Sequence, residues 1–312
     1  MDNLIVATNA VVPFIVYLFA GFICAKSGLA KEEFLRTLNG FVFKAFFPFI
    51  MFNNLYDVDF SSLGGSVYVL FAVAMTVAVI LSAALIVPRV VKDDSRRGVI
   101  IQASFRSNTI LYAIPLVESV FGEAGAVKAS ILVAFIVPLY NIVSVVVLEK
   151  YRGGRVSAAK LATNILKNPL IIGAIAGIIF NELPITMPSC LATPVSAMAG
   201  MATPLSLIVL GGTLKLSSMR SNIKPLAVVT FTKLIAVPAI CVILMSMLHF
   251  EAVEFFVVFC TFATPVAAAS YPMAQSMGGD ARLAGEYVVV TTLTSLLTIF
   301  VWILVLKNLC LI

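Results

Sequence analysis

The sequence predicts an all-α integral membrane protein in which ten transmembrane helices form two inverted five-helix repeats. Three observations lead to this fold class. The 312-residue chain is 61% hydrophobic and 12% charged, with a mean hydropathy of +1.08, whereas soluble domains are roughly 45–50% apolar and about 25% charged. Its apolar residues form runs of about 20, which is long enough to cross a bilayer. Similar residues also recur at a spacing of 156 or 157 residues.

The apolar runs define ten candidate spans. Each span is expected to be helical, because an open strand cannot satisfy its backbone hydrogen bonds in lipid. The predicted spans cover residues 4–25, 34–55, 66–88, 99–121, 125–148, 168–182, 188–214, 224–248, 253–277 and 283–306.

The basic residues predict the orientation of these spans. All Lys and Arg residues except Lys44, Arg106, Lys128, Lys233 and Lys307 fall on one set of alternate loops. Cytoplasmic loops carry the excess of positive charge, so this side is expected to be cytoplasmic and both termini outside. The net charge of +6 therefore reflects topology, and no nucleic-acid partner is expected. The predicted location is a cell membrane, with the lipid bilayer as the surroundings.

The repeated residues divide the chain into two halves. Residues 1–150 form the first predicted repeat, 151–167 a cytoplasmic loop, and 168–312 the second repeat. Because each half holds an odd number of spans, the second half is inverted relative to the first. Inverted repeats are typical of secondary transporters, whose sites lie near the midplane on discontinuous helices. The matching pairs spaced by 157 residues include Phe105 and Phe262, Pro115 and Pro272, and Gly122 and Gly279.

The fourth and ninth spans contain matching helix interruptions. Asn108 and Pro115 are seven residues apart, as are Pro265 and Pro272. Proline lacks a backbone donor and obstructs the preceding helical turn. Open helix ends at membrane depth are tolerated where they line a cavity, so these two spans are predicted to cross at a binding site.

Polar residues beside the interruption are the first candidates for ligand contacts. Asn108 could bind a ligand or form an interhelical hydrogen bond, and Thr109 could instead bond its own helix backbone. Arg106 and Lys233 also lie inside spans. Arg106 could attract an anion, whereas Lys233 could neutralise carbonyls at a helix end or support the site.

The acidic residues bear on cation coupling. No Asp or Glu falls at the centre of a span, and Glu118 is the deepest, near the outer end of the fourth. Cation-coupled carriers usually use intramembrane carboxylates, so coupling is disfavoured, although backbone carbonyls could still bind Na⁺. Basic and amide groups with helix N-termini suit an anion.

An enzyme, a metal site and a cofactor are not expected. The single histidine, His249, lies at an outer span end, no central carboxylate pair is present, and the five cysteines lack metal-type spacing. An intramembrane hydrolase would need one of those features.

Three stretches resemble the auxin efflux carrier family, which includes the plant PIN-FORMED carriers and bacterial relatives known as malonate permeases. These are SNTILYAIPLV in the fourth span, ATPVAAASYPMAQSMGGDARLA in the ninth, and FTKLIAVP in the eighth. The resemblance implies a scaffold of spans 1, 2, 6 and 7 and a transport domain of spans 3–5 and 8–10. Spans 4 and 9 would cross at the substrate site, as in sodium/proton antiporters and bile-acid symporters. The absence of a long loop between spans 5 and 6 favours a bacterial relative, and the resemblance then implies the bacterial inner membrane as its location.

We therefore expect a carrier for small organic carboxylate anions that works by an elevator-type alternating access and is not strictly cation-coupled. The alternative is a Na⁺- or H⁺-coupled symporter of the bile-acid type. Malonate, other dicarboxylates and indole-3-acetate remain open as substrates, and a homodimer through the scaffold spans is a possible assembly. The predicted substrate contacts, with Arg106 and Lys233 as supporting charges, are Asn108, Thr109, Pro115, Pro265, Ser270, Tyr271, Asn53, Met51 and Phe49.

Overall fold

A computed structural model of the chain describes residues 2–56, 66–152, 158–183, 187–214, 216–248 and 250–312. His249 and part of the predicted cytoplasmic loop, 153–157, lie outside the described residues. The described residues are α-helical apart from connecting segments, two π-helical turns and one isolated β-bridge.

The helices follow the apolar runs, since each run satisfies its backbone hydrogen bonds within one segment. In chain order they are α1 (Asp2–Lys26), α2 (Glu32–Ala45), α3 (Phe47–Tyr56), α4 (Val67–Val90), α5 (Asp94–Phe105), π1 (Thr109–Ala113), α6 (Ile114–Lys150), α7 (Ala158–Leu166), α8 (Pro169–Glu182), α9 (Ser189–Thr213), α10 (Leu216–Ser221), α11 (Ile223–Phe231), π2 (Thr232–Ala236), α12 (Val237–Ser246), α13 (Ala252–Ala263), α14 (Ser270–Ser276) and α15 (Ala281–Asn308).

The described residues contain six helical stretches long and apolar enough to cross a membrane, together with three shorter apolar helices. The predicted all-α membrane fold is thus confirmed at this level, and the ten-span count stays a prediction. The longest stretch, Thr109–Lys150, runs through the predicted boundary between spans 4 and 5. It bends there at Gly122, whose φ of 66° lies in the left-handed region that favours glycine.

Helices from the two halves of the chain pack tightly in pairs, α1 with α9 and α3 with α8. Glycine permits the close approach in both pairs. A Cβ atom at Gly211 of α9 would overlap the backbone of Leu18 in α1, and one at Gly173 of α8 would overlap the backbone of Pro48 in α3. Small residues at helix interfaces are how membrane helices bring their backbones together. These four helices correspond to predicted spans 1, 7, 2 and 6.

Candidate functional site

Two helices end inside the protein, one in each half of the chain. Helix α5 ends at Phe105, and Arg106 continues in an extended conformation with φ −77° and ψ 103°. Helix α13 ends at Ala263, and Thr264 is likewise extended, with φ −79° and ψ 154°. After these extended residues, the first half of the chain becomes helical again at π1 and the second half at α14. Both ends leave backbone carbonyls without helical partners.

The two extended segments are hydrogen-bonded to each other. The backbone N–H of Asn108 donates to the carbonyl of Pro265 at 2.9 Å, and the N–H of Ala267 donates to the carbonyl of Arg106 at 3.2 Å. Between these bonds lies an isolated antiparallel β-bridge. The structure thus places the two predicted interruptions directly against each other, and their backbone groups satisfy one another.

Lys233, from π2, holds the end of α5. Its side chain is 1% exposed, and its ammonium donates to the Phe105 carbonyl at 3.3 Å and to the Ser107 hydroxyl. The carboxyl end of a helix carries a partial negative charge, which a cation stabilises. Lys233 therefore occupies the position of a helix-end cation, the first of the two alternatives that its sequence context leaves open.

The side chain of Arg106, the residue that follows α5, extends toward α6. Its side chain is 4% exposed. One terminal nitrogen, Nη1, donates to the Ser144 hydroxyl at 2.9 Å, and the other, Nη2, donates to Oδ1 of Asn141 at 2.5 Å. Within the described part of the chain, no carboxylate forms an ion pair with Arg106 or Lys233. Both cations are therefore balanced only by neutral acceptors.

A cavity of about 860 Å³ opens beside the paired segments. Its lining comes from the interruptions and α6 and from α1, α3 and α9. The volume is within the usual range for small-molecule sites. The lining residues with the clearest bearing on ligand chemistry are Phe14, Tyr17, Phe47, Met51, Asn53, Asn54, Arg106, Ser107, Asn108, Thr109, Pro115, Glu118, Asn141, Ser196, Gly200, Ala267, Ala268 and Ala269.

The cavity brings together six of the residues predicted from sequence. Asn108, Thr109 and Pro115 line it from the first interruption and Arg106 from the segment before them, while Met51 and Asn53 line it from α3. Their roles in binding a substrate stay predictions, but the structure gives all six a place at one site.

The other predicted residues are not part of the cavity wall. Pro265 contributes its carbonyl to the backbone pairing, and Phe49 is not among the lining residues. Ser270 is buried, and the Tyr271 hydroxyl is hydrogen-bonded to Thr213 at 2.8 Å. The reason is that α14 already begins at Ser270, so Ala267 and the turn residues Ala268 and Ala269 before it line the cavity instead. A substrate contact by these residues stays a prediction.

Sequence reasoning missed several polar residues. Asn54 and Asn141 line the cavity, and the signal that could have found Asn141 is an amide in the middle of the fifth apolar run. Glu118 does line the cavity but is exposed. The most deeply buried carboxylate among the described residues belongs to Glu286, near the start of α15, which accepts a hydrogen bond from Asn222 at 2.7 Å.

Four buried N–H groups at the cavity have no hydrogen-bond acceptor among the described residues. They are the amide nitrogens of Asn54, Asn108 and Asn141 and the Nε atom of Arg106. Buried donors are nearly always paired in folded proteins. A set of unpaired donors around one cavity therefore points to a ligand that supplies acceptor atoms.

A multi-pass helical protein in which two interrupted helices meet beside a cavity belongs to the architectural class of membrane transporters. Comparison with known proteins supports this class. The family profile described as "Membrane transport protein" matches residues 6–160 and 154–303, and the chain belongs to this family, that of the auxin efflux carriers. The resemblance predicted from the three sequence stretches is thus confirmed.

One relative is described as an uncharacterized transporter of Methanothermobacter thermautotrophicus. The chain is 25% identical to it over 304 residues, which cover 96% of this chain and 98% of the relative. The similarity thus covers both interruptions and the residues that line the cavity beside them.

Proposed function

We propose that the protein is a secondary transporter of small organic carboxylate anions. The observation that supports this most directly is the set of four unpaired N–H donors at the cavity, beside an Arg106 side chain with no acidic partner among the described residues. Carboxylates are acceptor-only ligands when ionised. Hydrogen bonds to a charged acceptor are also roughly twice as strong as neutral ones.

The transport mechanism that fits this site is elevator-type alternating access between two inverted five-helix repeats. Spans 1, 2, 6 and 7 would form the scaffold, because α1 packs on α9 and α3 on α8 through glycine contacts. The remaining spans would carry the crossed interruptions past that scaffold. A homodimer would form through the scaffold spans, in a bacterial inner membrane with both termini outside.

On the proposed topology, this conformation would be an outward-facing state. Ser196 and Gly200 line the cavity from the first half of α9, which would lie on the outer side. At the opposite end of α9, Thr213 is hydrogen-bonded to Tyr271 of α14. This bond joins a helix of the proposed scaffold to α14 of the proposed transport domain. It would have to break when the cavity opens to the cytoplasm.

Transport by purified protein in liposomes tests the proposal. Radiolabelled malonate and indole-3-acetate would be loaded inside, and a membrane potential of about 100 mV, negative inside, imposed with valinomycin and K⁺. Efflux of at least one anion should accelerate, because this potential is worth about 2.3 kcal/mol per charge. Protein-free liposomes provide the control. If neither these anions nor a panel of other small carboxylates moved faster than in the control, the proposed function would be wrong.

The same liposomes test the alternative of cation coupling. The Lys233 side-chain nitrogen already occupies the helix end, so we expect the flux to be unchanged when Na⁺ is replaced by choline or when a pH gradient is imposed. A flux that required either gradient would favour the coupled symporter instead.

A further inference from the structure

The hydrogen bonds of Arg106 fix the orientation of the Asn141 amide. A guanidinium has five N–H donors and no acceptor, so only the oxygen of an amide can bond to it. The oxygen and nitrogen of an asparagine are usually interchangeable on geometric grounds. At Asn141 the choice is settled chemically, because Nη2 of Arg106 donates to Oδ1 at 2.5 Å. The NH₂ group must therefore face away from the guanidinium.

This NH₂ group is buried and unpaired at the cavity. Asn141 is 2% exposed and lines the cavity, while its Nδ2 atom has no acceptor among the described residues. Asn54 and Asn108 also present unpaired amide nitrogens there, but no charged partner determines which way round their amides lie. Asn141 is thus the amide donor whose direction the protein itself sets.

Three further hydrogen bonds hold Arg106 in position. Its backbone N–H donates to the carbonyl of Gln102, and its carbonyl accepts from Ala267. Its Nη1 atom donates to the Ser144 hydroxyl, one helical turn beyond Asn141 on α6. With both terminal nitrogens engaged by α6, the guanidinium holds the amide while contributing positive charge to the cavity.

We propose that Asn141 is a substrate-contacting, specificity-determining residue that donates to the carboxylate, and that Arg106 is the positioning residue that orients it. The proposal rests on the proposed function, since it names a contact within the same site. It differs from a scheme in which the guanidinium alone binds the anion, because each terminal nitrogen already donates one hydrogen bond to α6 and the amide supplies the donor to the substrate.

Two substitutions separate a substrate contact from a structural partner of Arg106. Asn141→Asp has nearly the same shape and keeps an acceptor for the guanidinium, but replaces the NH₂ donor by a second oxygen. If Asn141 only anchored Arg106, the aspartate would serve as well or better. If Asn141 donates to an anion, the aspartate would repel it. Ser144→Ala is the matched comparison, because it removes the other guanidinium bond at a residue outside the cavity wall.

The measurement is the initial rate of transport of radiolabelled malonate and indole-3-acetate in proteoliposomes, over a range of concentrations. For the anion that the unsubstituted protein moves, Asn141→Ala and Asn141→Asp should each raise KM by about tenfold or more, and Ser144→Ala by less than about threefold. In an Arg106→Met background, Asn141→Ala should raise KM by less than about threefold, because the amide is no longer oriented.

The outcomes distinguish this proposal from the proposed function. Transport by the unsubstituted protein with an unchanged KM in Asn141→Asp, or equal effects of Asn141→Ala and Ser144→Ala, would overturn the assignment of Asn141 while leaving the transport function in place. Absence of transport by the unsubstituted protein would overturn both. Thermal unfolding in detergent checks each variant, and failure of both Asn141 variants to fold would mean that the residue is structural, contrary to the proposal.

Discussion

Replacing Asn108 by alanine is expected to lower kcat/KM for carboxylate transport by about 100-fold. The reason is that its side-chain nitrogen lines the cavity without an acceptor among the described residues. A hydrogen bond to a charged group contributes about 1.5–3 kcal/mol, and each 1.36 kcal/mol corresponds to a factor of ten. Initial transport rates in proteoliposomes measure the effect.

The same substitution should leave the fold intact. The pairing of the two interruptions uses the backbone N–H of Asn108 and the carbonyl of Pro265, and alanine retains that N–H. Thermal unfolding should therefore match that of the unsubstituted protein. Asn164→Ala is the control, because Asn164 lies on α7 outside the cavity wall and bonds to Glu149. Normal transport by Asn108→Ala would remove Asn108 from the binding site.

The sequence alone leads to Asn108 because the chain contains a second copy of the interruption. An isolated asparagine in a membrane helix has an equally good role as an interhelical hydrogen bond. The matching spacing of Asn108 to Pro115 and of Pro265 to Pro272 adds information, since it predicts two open helix ends at the same depth. The family relationship follows from the same stretches.

The exact extent of the second interruption could not be predicted, because proline is found both where a helix ends and where one begins. It can end a helix, or it can occupy the first turn, where the missing N–H has no partner to lose. In the structure Pro272 is the third residue of α14, whereas Pro115 follows π1 inside the continuous helical stretch Thr109–Lys150. Pro272 therefore lies in the first turn of a helix, which is consistent with Ser270 and Tyr271 being helical rather than part of the cavity wall.

The role of Asn141 could not be predicted from the sequence, because it depends on contacts between distant segments. The polar residue is visible in the fifth apolar run, but whether it faces lipid, a neighbouring helix or the cavity depends on how α6 packs. Its partner Arg106 has no charged equivalent in the second half of the chain, where Ala263 occupies the matching position. The repeat therefore predicts the backbone arrangement and gives no information about this side-chain pair.

The contact between α1 and α9 should be the point most sensitive to added volume. A Cβ atom at Gly211 would lie 2.6 Å from the carbonyl carbon and 2.7 Å from the Cα atom of Leu18. These are backbone atoms, so no side-chain rotation can relieve the overlap. We expect Gly211→Ala to destabilise the protein by about 3 kcal/mol, at the upper end of the usual range for overpacking, and to lower the unfolding temperature in detergent by roughly 5–10 °C.

Gly40→Ala provides the matched control for Gly211→Ala. Gly40 lies within α2, and a Cβ atom there would meet no other atom within 4 Å. Alanine is favoured over glycine in a helix by roughly 0.5–1 kcal/mol, so this variant should be as stable as the unsubstituted protein or slightly more so. The comparison isolates packing, because both variants gain the same methyl group and the same helix propensity. If the two unfolded at the same temperature, α1 and α9 could not be in the backbone contact described here, and the proposal that they belong to one rigid scaffold would lose its main support.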